Sequence, residues 1–281
     1  MADEIPVVPK VTSLVVHSGN IVNWNRLKRK PNQTPSEELV ECVSNSLESY
    51  FTGADKNELQ YATELDCAHS EFKKTLPINP DERSDLKLTV KIFLCRMMRP
   101  EVIKEAVENV LLELNSSNVD VVLLAFPELD EEGITLETIK PYWNVLQDLN
   151  VTRVVHFLGI SDLDKVVLEE LFNWATVKPT INQVNLESCC VMPKDMTDYA
   201  KENDIQLLTH NDPRDILTND KVSQLVSARC TEKDGEGWES DWAIRFSVMV
   251  RCRGIIKTKG YIVKASRDTT KKKSQQLNKC Q

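Results

Sequence analysis

The sequence predicts an α/β protein of the (β/α)8 TIM-barrel type, and three observations predict it. Short β-branched runs alternate with helix-length polar segments along most of the chain, the pattern of right-handed βαβ units around a parallel sheet. The 281 residues leave room for one such barrel, which takes about 250. The apolar share of 41% against 28% charged is that of a packed domain rather than a disordered chain. The chain divides into a flexible start (1–10), a barrel (11–262) and a basic disordered tail (263–281).

The first strand is Thr12 to His17, and a helix follows over Ser36 to Phe51. A weaker strand is expected at Ala62 to Ala68, where the same pattern also permits a helix. Leu88 to Cys95 and Val119 to Phe126 are nearly continuous apolar runs, as strands covered on both faces are, and Pro100 to Leu114 is the helix between them. Leu136 to Leu149 is helical, Arg153 to Leu158 a strand, and Leu163 to Ala175 a helix with Leu163, Val167, Leu171 and Trp174 on one stripe. Ile181 to Leu186 and Ile205 to His210 are strands flanking a helix at Asp195 to Lys201. Asp212-Pro213 has the form of an N-cap followed by proline in the first helical position. A helix over Trp238 to Val250 and a strand at Gly254 to Lys257 complete the set, and residues 268–281 show no apolar period.

Charge narrows the choice of partners. The net charge is −8, but residues 251–281 hold ten Lys or Arg and one acid, which leaves −17 on residues 1–250. An acidic body repels a phosphate backbone, so nucleic acid is not an expected partner. The longest apolar run, Val119 to Phe126, falls far short of the ~20 residues that span a membrane, and the Met-Ala-Asp-Glu start lacks the basic region of a signal peptide. A cytoplasmic protein with no membrane contact is expected. The eight cysteines (42, 67, 95, 189, 190, 230, 252 and 280) form no CxxC and have no histidine-rich companion set, so no metal site is expected and most should be reduced, buried thiols. Cys189 and Cys190, on a loop, and Cys280, in the basic tail, are the candidate redox-active thiols.

In a barrel the reactive groups lie at the C-terminal ends of the strands. There the sequence places Lys91, Glu128, Ser161, Asp162, Gln183, Asn185, His210 and Asn211. The plainer reading of Ser161, Asp162 and Asp212 is helix capping and loop starting. His210 has no Ser, Cys or carboxylate partner assignable from sequence, which favours a hydrogen-bonded structural role over a base. Neither GxxxxGK[ST] nor GxGxxG occurs, so a P-loop or Rossmann nucleotide site is not expected.

From Gly159 onward the chain resembles the aldo-keto reductases. Gly-Ile-Ser-Asp-Leu-Asp (159–164) is similar to their GVSN strand end, Ile-Asn-Gln-Val-Asn (181–185) to their NQVE strand, and Trp242-Ala-Ile-Arg-Phe to their ALRY helix. That family transfers hydride from NADPH with an Asp, Tyr, Lys and His set. The resemblance puts Lys91 at the lysine and Asp66 at the aspartate; Ala125 stands at the histidine, and Glu71 or Ser70 at the tyrosine. Ser161, Gln183 and His210 fall at its nicotinamide-binding positions, so Lys91, Ser161, Gln183 and His210 outline a vestigial pocket in which residual NADPH binding is not excluded. An active NADPH-dependent reductase of a small carbonyl substrate is the alternative reading, and the missing phenol speaks against it.

A closer resemblance covers nearly the whole chain. Ser18-Gly19-Asn20 through Trp24, Asn79-Pro80-Asp81-Glu82-Arg83, Gly159 to Lys165, Lys178 to Pro193, Asp204 to Pro213 and Arg253 to Tyr261 are similar to signature segments of the regulatory, or modifier, subunits of glutamate-cysteine ligase. What this implies is a noncatalytic protein without a cofactor, joined in a heterodimer to the catalytic subunit of that ligase. It would raise apparent affinity for glutamate and relieve feedback inhibition by glutathione, with an intersubunit disulfide as an open option. Asn23, Trp24, His210, Asn211 and Asp212 are the candidate partner-binding residues, since loop aromatics with polar neighbours favour interfaces.

Overall fold

The computed structural model describes residues 5–22, 24, 32–68, 78–129, 133–185 and 192–269. The chain begins with β1 (Ser13–His17), α1 (Pro35–Gly53), a short α2 (Lys56–Leu59) and β2 (Glu64–Ala68). Thr34 opens α1 with a capping box closed by Glu37 and a proline in the first turn, so its start is written in the sequence. A 3-10 turn (Pro80–Asp85) leads into a regular alternation: β3 (Leu86–Leu94), α3 (Val102–Leu114), β4 (Val119–Ala125), α4 (Leu136–Val151), β5 (Val155–Ser161), α5 (Lys165–Trp174), β6 (Ile181–Asn185), α6 (Lys194–Glu202) and β7 (Gln206–His210). Then come α7 (Asn219–Ser227), α8 (Glu232–Gly235) and two long strands, β8 (Trp238–Val250) and β9 (Ile255–Arg267).

The α/β class and the (β/α) repeat expected from the sequence hold, with β3 to β7 parallel and in order. The departure is at the end of the chain. Residues 238–250 are not the expected helix but a strand, because Trp242, Ile244, Phe246 and Val248 alternate with Ala243, Arg245 and Ser247 at the two-residue period of a sheet. With β9 they form an antiparallel hairpin inserted between β1 and β3, giving the nine-stranded order β2-β1-β9-β8-β3-β4-β5-β6-β7. Three antiparallel steps separate β1 from β3, so β1 and β2 run opposite to β3 through β7. The start of β1 is therefore level with the C-terminal ends of β3 to β7.

Among the described residues two large cores cover the sheet, with a small third cluster of Val121, Leu123 and Ile181. Leu88, Val90 and Ile92 of β3 and Ile244 of β8 pack under α3 and α4 in the larger one. The opposite parity, Phe93 and Ala243, faces the smaller core with Leu39 and Leu47 of α1 and Val222 of α7. Lys91 and Arg245 share that second parity, which sets where the polar site lies.

Two expected boundaries shift. β9 continues past residue 262 to Arg267 because its last residues pair with both β8 and β1. At the other end Val8 is buried and its carbonyl accepts from the Arg267 guanidinium, so the expected flexible start is anchored there. Residues 270–281 of the expected tail lie outside the described residues. Where residues 18–21 cross β9, Gly260 permits the contact: a Cβ there would stand 2.2 Å from the Gly19 carbonyl oxygen.

Candidate functional site

At the C-terminal ends of β3, β5, β6 and β7 the structure assembles Lys91, Asp162, Gln183 and His210, four of the eight residues the sequence placed there, together with Asp212. Asp212 is the hub. Its buried carboxylate lies 2.8 Å from Lys91 Nζ and takes both terminal nitrogens of Arg245, the second at 2.9 Å. Lys91 also donates to Gln183 Oε1 at 2.7 Å. The Lys91 ammonium and the Arg245 guanidinium both sit over the Phe93 ring, 4.9 and 5.5 Å from its centroid. Asp212 is therefore not the helix cap its Asp-Pro pattern suggested: α7 starts at Asn219 behind Thr218, and the carboxylate pairs with the buried Lys91 and the partly exposed Arg245.

Asp162 is also more than a loop starter. It takes a left-handed backbone, φ 61, its carboxylate accepts from the Asn185 amide at 2.8 Å, and α5 is capped by Asp164 instead. His210 bridges the two acids. Its Nδ1 accepts from the Asp212 amide at 3.1 Å, so Nε2 carries the hydrogen and donates to Asp162 at 3.0 Å. Asp162 and Asp212 are the partners of His210 that could not be assigned from sequence.

The electrostatics follow from burial against pairing. Burial lowers the Lys91 pKa, and Asp212 offsets only part of that loss. Burial would depress His210 too, but hydrogen bonds to Asp162 and Asp212 outweigh it and hold the imidazole above its ordinary value. For Asp212 burial works upward, yet His210, Arg245 and Lys91 together hold the carboxyl far below the usual range. Two cations, two carboxylates and the imidazole thus close into one hydrogen-bonded network.

A cleft of about 700 Å³ opens beside it, lined by Phe93, Ala125, Phe126, Pro127 and Met196 with Arg214 and Glu128 at its rim. No tyrosine lines it among the described residues. Ser161 does not reach it: the residue is 1% exposed and its Oγ has no hydrogen-bond partner among the described residues. Asp66, the expected companion of Lys91, is elsewhere as well. Three strands lie between β2 and β3, and Asp66 instead meets His17 Nε2 at 3.2 Å. Among the described residues no group of three or more His, Cys, Asp or Glu could hold a metal, and no helix is long and apolar enough to cross a membrane.

The remaining candidates scatter. Trp24 packs against the smaller core at the end of β1, and Asn211 is exposed beside His210 at the opposite end of the sheet, so the two groups of partner-binding candidates do not meet. Asn23, Cys189, Cys190 and Cys280 lie outside the described residues. Of the other cysteines, Cys42, Cys67 and Cys230 are free and buried, while Cys252 is exposed. Arg245 was missed by the sequence reading because a helix over 238–250 gives it no fixed side; the two-residue alternation around it was the signal.

The aldo/keto reductase family matches residues 30–211, which stops short of the β8–β9 hairpin. The glutamate-cysteine ligase regulatory subunit of Mus musculus is 37% identical over 263 residues, 93% of this chain and 95% of its own length. That of Bos taurus is 38% identical over the same shares. Aldo-keto reductase family 1 member C13 of Mus musculus is 24% identical, over 64% of this chain and 59% of its own. The chain belongs to the aldo/keto reductase family and, within it, to the regulatory subunits of glutamate-cysteine ligase.

Proposed function

We propose that this protein is a noncatalytic cytoplasmic subunit that binds the catalytic subunit of glutamate-cysteine ligase as a heterodimer, raises its apparent affinity for glutamate and relieves feedback inhibition by glutathione. The observation that carries the reading is the 37% identity to a named regulatory subunit across 93% of the chain. The site geometry supports the noncatalytic part. Lys91, which would lower the pKa of a proton donor, is held by Asp212 and Gln183 instead. A cofactor-free site is supported by the nicotinamide positions, where Ser161 is buried away from the cleft, the Gln183 amide oxygen accepts from Lys91 and the His210 ring is hydrogen-bonded between Asp162 and Asp212.

An activator of this kind must bind one state of the catalytic subunit better than another, because equal affinity shifts nothing. The test is to mix the two subunits and measure rate against glutamate, with and without glutathione. A lower half-saturating glutamate concentration and a higher glutathione requirement for inhibition are expected; an unchanged pair of curves refutes the proposal. The cofactor-free part is tested by titrating NADPH and following its fluorescence, with no saturable change expected. An intersubunit disulfide would use Cys189, Cys190, Cys280 or another thiol such as the exposed Cys252, and serine substitution at each cysteine, with complex stability measured with and without reductant, decides it.

A further inference from the structure

Among the described residues β2 and β7 each have one neighbouring strand, so the sheet has two free edges. A free edge presents a row of unpaired N–H and C=O groups, and proteins commonly guard it with charge. The β2 edge is guarded, with Glu64 and Asp66 exposed along it. The β7 edge is not. Its residues, Gln206-Leu207-Leu208-Thr209-His210, include no Lys, Arg, Asp or Glu, and the His210 ring is already turned to Asp162 and Asp212.

This edge has a defined hydrogen-bonding side. The Gln206 amide donates to Thr180 O at 2.8 Å, toward β6. Backbone groups of successive strand residues point alternately to the two sides, so Leu207 and Thr209 turn theirs outward. Among the described residues those outward groups meet no partner. Apolar surface lies beside them. Leu208 packs with Val121, Leu123 and Ile181, a cluster that no helix residue joins among the described residues. Phe157, opposite Val121 in the register and therefore on the same face, is 53% exposed.

We propose that the outer edge of β7 is the docking surface for a second copy of this chain, the two β7 strands pairing antiparallel about a two-fold axis at Leu208. That axis sets Leu207 of each copy opposite Thr209 of the other. These are the residues whose backbone groups face outward, and a pair so placed exchanges both of its N–H···O bonds. Leu208 then meets its own copy as a non-hydrogen-bonded pair, the closer kind, with about 4.5 Å between Cα atoms. The apolar face holding Phe157 continues across the axis. Charge selects this edge over the other, because the same pairing at β2 would bring the Glu64 and Asp66 carboxylates of both copies together. Two chains of −8 repel at long range, so salt that screens the repulsion favours the pair. The inference goes beyond the regulatory reading and does not depend on it.

Sedimentation velocity of the full chain tests it. An edge of five residues makes a small interface, so a reversible dimer with Kd on the order of 10–100 µM is expected, tightening as NaCl is raised. Leu208→Lys and Leu208→Glu each set like charges face to face at the axis and should each weaken the dimer ~10-fold or more, and a 1:1 mixture of the two should restore it. Thr209→Pro removes an outward N–H without touching the β6 ladder and should weaken the dimer too, which keeps the test open if a charge at 208 lowers the thermal stability of the fold. A monomer at every concentration, or a dimer of wild-type strength in all three variants, overturns the proposal. Failure of the charge-complementary mixture to associate, with both variants folded, overturns the two-fold register at Leu208.

Discussion

Asp212→Asn removes one negative charge from a carboxylate whose side chain is 2% exposed and which holds Lys91 and Arg245 together. The amide keeps the shape but leaves the buried Lys91 ammonium and the partly exposed Arg245 guanidinium facing each other. Breaking a buried pair in this way costs about 3–5 kcal/mol. An independent route gives a similar ceiling: the variant can shed the Lys91 proton, and deprotonating an amine of ordinary pKa about 10.4 at pH 7 costs about 4.6 kcal/mol. At about 2–4 °C per kcal/mol for a chain of this size, Tm should fall by roughly 10 °C. The sign with pH is fixed as well. A lysine whose folded pKa is depressed penalises the folded state less as pH rises, so the deficit should shrink between pH 7 and 9. Differential scanning calorimetry of wild type, Asp212→Asn and Asp212→Asn with Lys91→Met reads all three, the double variant recovering part of the loss. A deficit below about 1 kcal/mol, or one that grows with pH, would refute the view of Asp212 as the electrostatic hub.

Three further outcomes are expected. His17 is buried between Asp66 and Glu113; burial would lower its pKa, but the two acids raise it to about 9. Its contribution is complete below the unfolded value near 6.5 and is lost as pH rises through 9, so the stability gap between wild type and His17→Gln should close across that window in urea titrations. Burial pushes the Cys95 and Cys230 thiols up to about 12 and raises Cys42 and Cys67 as well, so iodoacetamide should modify Cys252 in the folded chain and these four only after unfolding, as peptide mapping will show. Gly260→Ala drives a Cβ to 2.4 Å from Phe246 Cζ and should cost about 1–3 kcal/mol by denaturant titration, with no loss meaning that the 18–21 crossing is loose.

Much of the molecule was legible in the chain, for identifiable reasons. The capping box at Thr34 and Glu37 and the amphipathic stripes of α1, α3 and α4 are local signals, and the helices start and end close to where they point. The apolar runs of β3 and β4 declare strands covered on both faces. The clustering of Lys91, Asp162, Gln183 and His210 followed from strand ends alone. The helix expected over 238–250 does not form because Trp242, Ile244, Phe246 and Val248 alternate with Ala243, Arg245 and Ser247 at the two-residue period of a sheet, and β3 and β9 supply the pairing partners.

What the sequence determined by itself was therefore the strand–helix alternation from β3 to β7, the polar residues at one end of the sheet and the family, since each is carried by residues close together in the chain. Pairing between distant segments has no such local signature. That β8 and β9 enter between β1 and β3, reverse the sense of β1 and β2, part Asp66 from Lys91 and give the lysine to Asp212 was decided only by the tertiary structure. The physical reason is competition for the same sheet edges and for the same buried charge, which resolves only when all the competing strands and carboxylates are present together.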